Sequence, residues 1–234
     1  MLIAEDLVLL TLDGVSGRPD SGLSPRMLDL LAGGGLVSEL ALSGAVQLHP
    51  DPVTHRLEVH PTGVRIPQDP LLQRSLMLAG GHPRPAPLIR SCGIDMHGQL
   101  VNRLADQGLL RRERERRFLI TRTSWPAAEF SYRQDVRRHL AAALFNGVAP
   151  TRRTATLIAH LAAVGQIHRL FDSPVAFPTD MTHRVDHVTR GDWVASTVRG
   201  MFRPSRARGG WYGGGDGGGF FGGDGGGGGD GGGG

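Results

Sequence analysis

The stretch Gly33–Leu48, "GGGLVSELALSGAVQL", decides the fold, because the periodicity of the chain changes inside it. Its first half continues "SPRMLDLLA", where Ser24 suits an N-cap and Pro25 the first helical position. Gly44 suits the stop, so a helix is predicted over 24–44. From Ala45 to Ile66, "AVQLH", "HRLEVH" and "GVRIP" alternate apolar and polar residues between turn residues and read as short strands. The triplet Gly33–Gly35 lies inside the helix, where each glycine costs up to ~1 kcal/mol relative to alanine. Close approach of another backbone is the favoured reason, and a break in the helix is the other.

Working outward, residues 2–12 carry Ile3, Leu7 and Leu10 at helical spacing, followed by a glycine- and proline-rich loop over 13–22. Asp69 and Pro70 open a helix that Gly80 stops. "GHPRPAP", 81–87, reads as a stiff connector. A helix is predicted from Ile94 to Gln107, closed by Gly108. Alanine- and leucine-rich helices follow over 128–147 and 151–171, and a last one within Thr182–Met201. The fold class is therefore mainly α, a compact helical domain with a few short strands and a hairpin. One domain spans 1–205, and the glycine-rich residues 206–234 cannot bury a core and are expected to be disordered.

All 26 basic residues are arginine, and the formal charge is +4. Arginine grips phosphate through a planar fork, so contact with an anionic surface is permitted. Cys92 is alone, which excludes an intramolecular disulfide and reads as a buried thiol. The first residues, "MLIAEDLVLLTLDG", lack the basic start of a signal peptide. No apolar run approaches the ~18 residues of a membrane span. A cytoplasmic chain is expected.

Catalytic signatures are sparse. His183 and His187 have the i, i+4 spacing of a shared metal ion but lack the zincin glutamate and a third ligand. His55 and His60 flank a short strand. No nucleophile elbow, phosphate loop or dinucleotide fingerprint occurs. No enzyme, metal or cofactor is expected, which leaves binding to something anionic: membrane phosphates or nucleic acid.

"LLRRERERRFLITRTSWP", 109–126, packs five arginines and two glutamates into Arg111–Arg117. Over Leu109–Thr123 it reads as a hairpin reversing near Glu115–Arg116. The charges either keep an exposed edge soluble or lie against phosphates while Phe118, Leu119 and Ile120 bury in the body or in another copy.

Four stretches, in this order and spacing, resemble the Golgi phosphoprotein 3 family. They are "LIAEDLVLLTLDGVSG", "GGGLVSELALSGAVQL", "LVNRLADQGLLRRERERRFLI" and "PTRRTATLIAHLAAVGQIHRLF". The second carries the family's E-L-A-L-x-G-x-x-x-L pattern in Glu39, Leu40, Ala41, Leu42, Gly44 and Leu48. The resemblance implies a single helical domain with a projecting β-hairpin that contributes to self-association. It also implies peripheral binding to phosphatidylinositol 4-phosphate and bridging to cytoplasmic partners. The family's headgroup pocket uses a tryptophan and three arginines. This sequence has Ser24, Gly33, Ile94 and His97 at those positions.

Arg26, Arg90 and Arg103 lie nearby in sequence, either as a relocated anion site with His97 or as ordinary surface arginines. The expectation is a non-enzymatic protein, peripheral on the inner face of the membrane. Arg26, Arg90, His97, Arg103, Arg111 and Arg112 would face the headgroups, with Phe118–Ile120 as the contact between copies. A nucleic-acid-binding or regulatory helical protein, or a self-assembling scaffold, stands as the alternative.

Overall fold

The computed structural model describes residues 1–20, 22–117, 120–171 and 179–202, which belong to the unit Met1–Pro204. The glycine-rich tail and residues Phe118 and Leu119 lie outside the described residues. The chain forms α1 (Ile3–Thr11), α2 (Pro25–Leu42), β1 (Val46–Pro50), β2 (Leu57–Pro61), α3 (Pro70–Gly81), α4 (Pro85–Gly93) and α5 (Met96–Asp106). The hairpin β3 (Glu113–Arg117) and β4 (Ile120–Ser124) follows, then α6 (Ser131–Phe145), α7 (Arg152–Ala163), α8 (Ile167–Leu170), α9 (Thr179–Thr189) and α10 (Trp193–Phe202). The fold is mainly α, with two small antiparallel strand pairs among the described residues.

Helix α2 is the axis of the domain. The Ser24 hydroxyl accepts from the Met27 N–H at 3.3 Å and caps its start. At its end Gly44 takes φ +74°. There the N–H of Ala45 reaches the Leu40 carbonyl at 2.9 Å and that of Gly44 reaches Ala41 at 3.1 Å, the paired bonds of a Schellman stop. The glycine triplet does not break the helix. Successive residues turn by about 100°, so the three face three neighbours. A Cβ on Gly33 would overlap the Ile89 carbonyl of α4 and lie 2.7 Å from the Gly93 N. One on Gly34 would lie 2.8 Å from both the His160 ring of α7 and Val198 of α10, and one on Gly35 2.7 Å from Ala4 Cα of α1. Close packing is therefore the reason for all three. Leu31, Leu36, Val37 and Leu40 fill the spaces between, each side chain contributing roughly 1.5–3 kcal/mol by leaving water.

Four expectations change. Residues 63–67 alternate as a strand should but pair with no strand among the described residues, and Val64 and Ile66 are exposed. The supposed connector starts α4, because Pro85 and Pro87 occupy the first turn, whose N–H groups have no intrahelical partner anyway. The last helical stretch is two helices, separated where Gly191 takes φ +86° and Asp192 caps Ala195 at 2.9 Å. The hairpin reversal falls beyond Glu115–Arg116, since both are paired within β3 and Arg117 pairs with Ile120. The bridge Leu110↔Ala127 and every pair inward keep one register. The hairpin base, where Arg111 N–H bonds Pro126 O at 2.8 Å and Trp125 N–H bonds Gly17 O at 2.9 Å, thus sets the turn.

Candidate functional site

The buried face of α1 is acidic as well as leucine-rich. Glu5 and Asp6 are essentially inaccessible to water, so each requires partners. Glu5 accepts from the Leu2 N–H at 2.6 Å and meets Arg103 Nε at 2.8 Å. Asp6 accepts from the Tyr132 hydroxyl at 2.7 Å and from Arg153 at 2.7 and 3.2 Å. Arg153 also reaches Glu39 at 3.3 Å and the Met1 carbonyl at 2.8 Å, while Glu39 accepts from the Ile3 N–H at 2.7 Å. Burial raises the Asp6 carboxyl above its ordinary range, although Tyr132 and Arg153 oppose it. These groups tie α1, α2, α5, α6 and α7 together.

Arg103, expected near headgroups, is committed to this network. Its guanidinium bonds both Asp69 oxygens, at 2.5 and 3.2 Å, and Glu5 on the other side. Two carboxylates neutralise the charge it would bring to a phosphate. Arg111 is exposed and paired with Glu113 at 2.6 Å, and the Arg112 guanidinium lies 5.4 Å from the centre of the Trp125 ring. The Ile120 backbone pairs in β4, and its side chain lies outside what is described.

Arg26, Arg90 and His97 lie on α2, α4 and α5, three helices joined through Asp29. Asp29, one turn beyond Arg26, accepts from the His97 N–H at 3.0 Å. Gly93, one turn beyond Arg90, packs its Cα directly under the Asp29 carbonyl. Asp95 holds φ +53° at the start of α5 and aims that first turn at Asp29. Arg26 and Arg90 are exposed, with no acidic side chain paired to either among the described residues. His97 is half-buried and its Nε2 has no hydrogen-bond partner. Burial lowers its pKa, with Asp29 opposing, so it is a neutral imidazole at pH 7. Asp29 already occupies the α5 N-terminus, so the two exposed guanidiniums are what suit an oxyanion here.

The other candidates are plainly placed. His183 and His187 are exposed on α9, and no group of three His, Cys, Asp or Glu side chains gathers around them among the described residues. Cys92 is buried, and burial pushes its pKa to about 11, keeping it a thiol. No described helix is long and apolar enough to cross a membrane.

Sequence reading missed a buried pair in the core. His160 is fully buried, with its Nε2 2.8 Å from Ser38 Oγ and its Nδ1 unpartnered. It sits within an alanine- and leucine-rich helix, and only Gly34, which opens room for the ring, carried a trace of it. Burial lowers its pKa to about 4, with the Asp192 charge opposing. As pH falls, the unfolded chain binds this proton first, near pH 6.5. The stability from keeping His160 neutral is complete above that value and is lost as pH drops toward 4. The expected loss is on the order of 3 kcal/mol. The raised Asp6 pKa has the opposite sign, so urea midpoints at pH 7 and pH 4.5 should be compared between wild type and His160→Gln. A smaller pH-dependent fall in the variant is expected, and equal falls would exclude His160 as the cause.

A glycine-centred helical domain with a short-stranded hairpin, an arginine-bearing helix junction and an acidic first helix locked to arginine defines the class. The chain belongs to the Golgi phosphoprotein 3 (GPP34) family, whose model matches residues 3–203. No curated protein matches it.

Proposed function

We propose that this is a peripheral membrane protein that binds anionic phospholipid headgroups of the phosphoinositide type, on the inner face of the membrane, without catalysing a reaction. The observation that carries the reading is the α2–α4–α5 junction, where exposed Arg26, one turn from Asp29, and exposed Arg90, one turn from Gly93, have no acidic partner among the described residues. Arg111 and Arg112, exposed at the hairpin base, are further proposed headgroup contacts, with Arg111 exchanging Glu113 for phosphate. Family membership supports the lipid over nucleic acid. The site is a relocated one, since α4 backbone fills the place beside Gly33 where the family pocket has an arginine side chain. The hairpin, through Phe118–Ile120, is the proposed contact between copies, and a cytoplasmic protein is the proposed further partner.

Each arginine close to an anionic surface contributes about 1 kcal/mol. Arg26→Ala/Arg90→Ala is therefore expected to weaken vesicle binding by about 30-fold, with high salt weakening the wild type further. Flotation with neutral, phosphatidylserine and phosphatidylinositol 4-phosphate vesicles measures it. Equal flotation on neutral and anionic lipid would sink the proposal.

A further inference from the structure

A cavity of about 410 Å³ opens between α2, α7 and the α9–α10 turn, within the roughly 300–1,000 Å³ usual for small-ligand sites. Helix α2 lines it with Ser38, Ala41 and Leu42, and α7 with Arg152, Ala155 and Thr156. Both sets have the i, i+3, i+4 spacing of a single helix face. Arg190, Asp192 and Trp193 close the third side.

Its polar groups are unevenly satisfied. Unlike Arg103 and Arg153, the exposed Arg152 and Arg190 have no side-chain partner among the described residues. The carboxylate of Asp192 is engaged, accepting from the Ala195 N–H at the start of α10. Ser38 is 2% exposed, and among the described residues its hydroxyl bonds His160 Nε2 alone. Because His160 Nδ1 has no partner, a proton there would be a buried unpaired N–H. With the proton on Nε2 instead, the imidazole donates to Ser38 Oγ and the serine O–H is left free to donate into the cavity. A buried donor without an acceptor, two arginines without carboxylates and a half-buried indole face one space.

We propose that this cavity is a second anion site, separate from the α2–α4–α5 junction, that takes a phosphate monoester. The phosphate lies between Arg152 and Arg190 with the Ser38 hydroxyl donating to it, and the apolar part of the ester lies against Trp193. The phosphate belongs either to a soluble ester or to a lipid headgroup.

Phenyl phosphate titrated into the full chain, followed by tryptophan fluorescence and calorimetry, tests this. Saturable binding is expected, with the fluorescence change lost in Trp193→Phe. Arg152→Ala/Arg190→Ala should weaken binding at least tenfold and Ser38→Ala several-fold, while Arg138→Ala, at an exposed arginine outside both sites, leaves it unchanged. Arg152 and Arg190 are exposed, so their variants keep the fold, which circular dichroism checks. Phosphatidic acid vesicles form the second arm. Vesicle binding that requires Arg152 and Arg190 assigns the phosphate to a lipid, and phenyl phosphate binding without it assigns a soluble ester. No saturable binding in either arm, or binding indifferent to Arg152→Ala/Arg190→Ala, overturns the proposal and leaves the junction site untouched.

Discussion

Arg153→Ala is expected to lower stability by about 3 kcal/mol, the lower end of the range for breaking a buried ion pair. The guanidinium bonds Asp6, Glu39 and the Met1 carbonyl. Its removal strands Asp6, whose side chain is 1% exposed, with only Tyr132 to accept from. The arginine itself keeps 35% of its side chain in water, which is why the lower end applies. For a domain of this size the melting temperature should fall by about 6–12 °C. Arg153→Met/Asp6→Leu should lose less than the sum of the two single variants, because no carboxylate at position 6 is then left stranded. A calorimetric change below about 1 kcal/mol for Arg153→Ala would mean that water replaces the guanidinium, and that the network does not hold α1 to α7.

Gly33→Arg, which installs the arginine that the resemblance places at this position, should cost about 4 kcal/mol or more and leave most of the chain insoluble. Even the first carbon of the new side chain overlaps the Ile89 carbonyl and sits 2.7 Å from Gly93 N. Both are backbone atoms, so no rotamer change relieves the clash. Gly33→Ala should cost about 1–3 kcal/mol for the same reason. The control is Gly80→Ala in α3, where a Cβ meets nothing within 4 Å. There the change should stabilise by up to ~1 kcal/mol through helix propensity. Urea denaturation of the three variants decides it. A soluble, fully stable Gly33→Arg protein would show that α4 can swing away and that the family pocket is latent.

Local signals carried most of the elements. Ser24 with Pro25, Asp69 with Pro70, and Gly44 and Gly108 after their helices mark boundaries through bonds made within a few residues. The chain itself is then enough to read them. The helix expected over 151–171 instead splits into α7 and α8 where Gly165 takes φ +70°. Helix α4 was hidden because its prolines describe a connector equally well until burial of Leu88 and Ile89 is known. Residues 63–67 failed in the opposite sense, since alternation makes a strand only when a partner strand is at hand.

The site was less legible than the fold. Arg26, Arg90 and His97 could be named from the chain, but so could Arg103, and nothing local distinguishes an arginine facing water from one held between Glu5 and Asp69. The basic pair Arg152–Arg153 makes the point sharply. Adjacent on α7, one residue enters the buried network and the other borders the 410 Å³ cavity, because they project about 100° apart.

By itself the sequence determined the helical class, the caps, the glycine triplet that demanded close neighbours, and the family. Those depend on backbone preferences and spacing, which act over one or two turns. Only the tertiary structure decided which neighbour each glycine admits, which arginines are neutralised and which remain free. Those outcomes depend on groups far apart in the chain, such as Arg153 and Asp6, meeting where water is excluded.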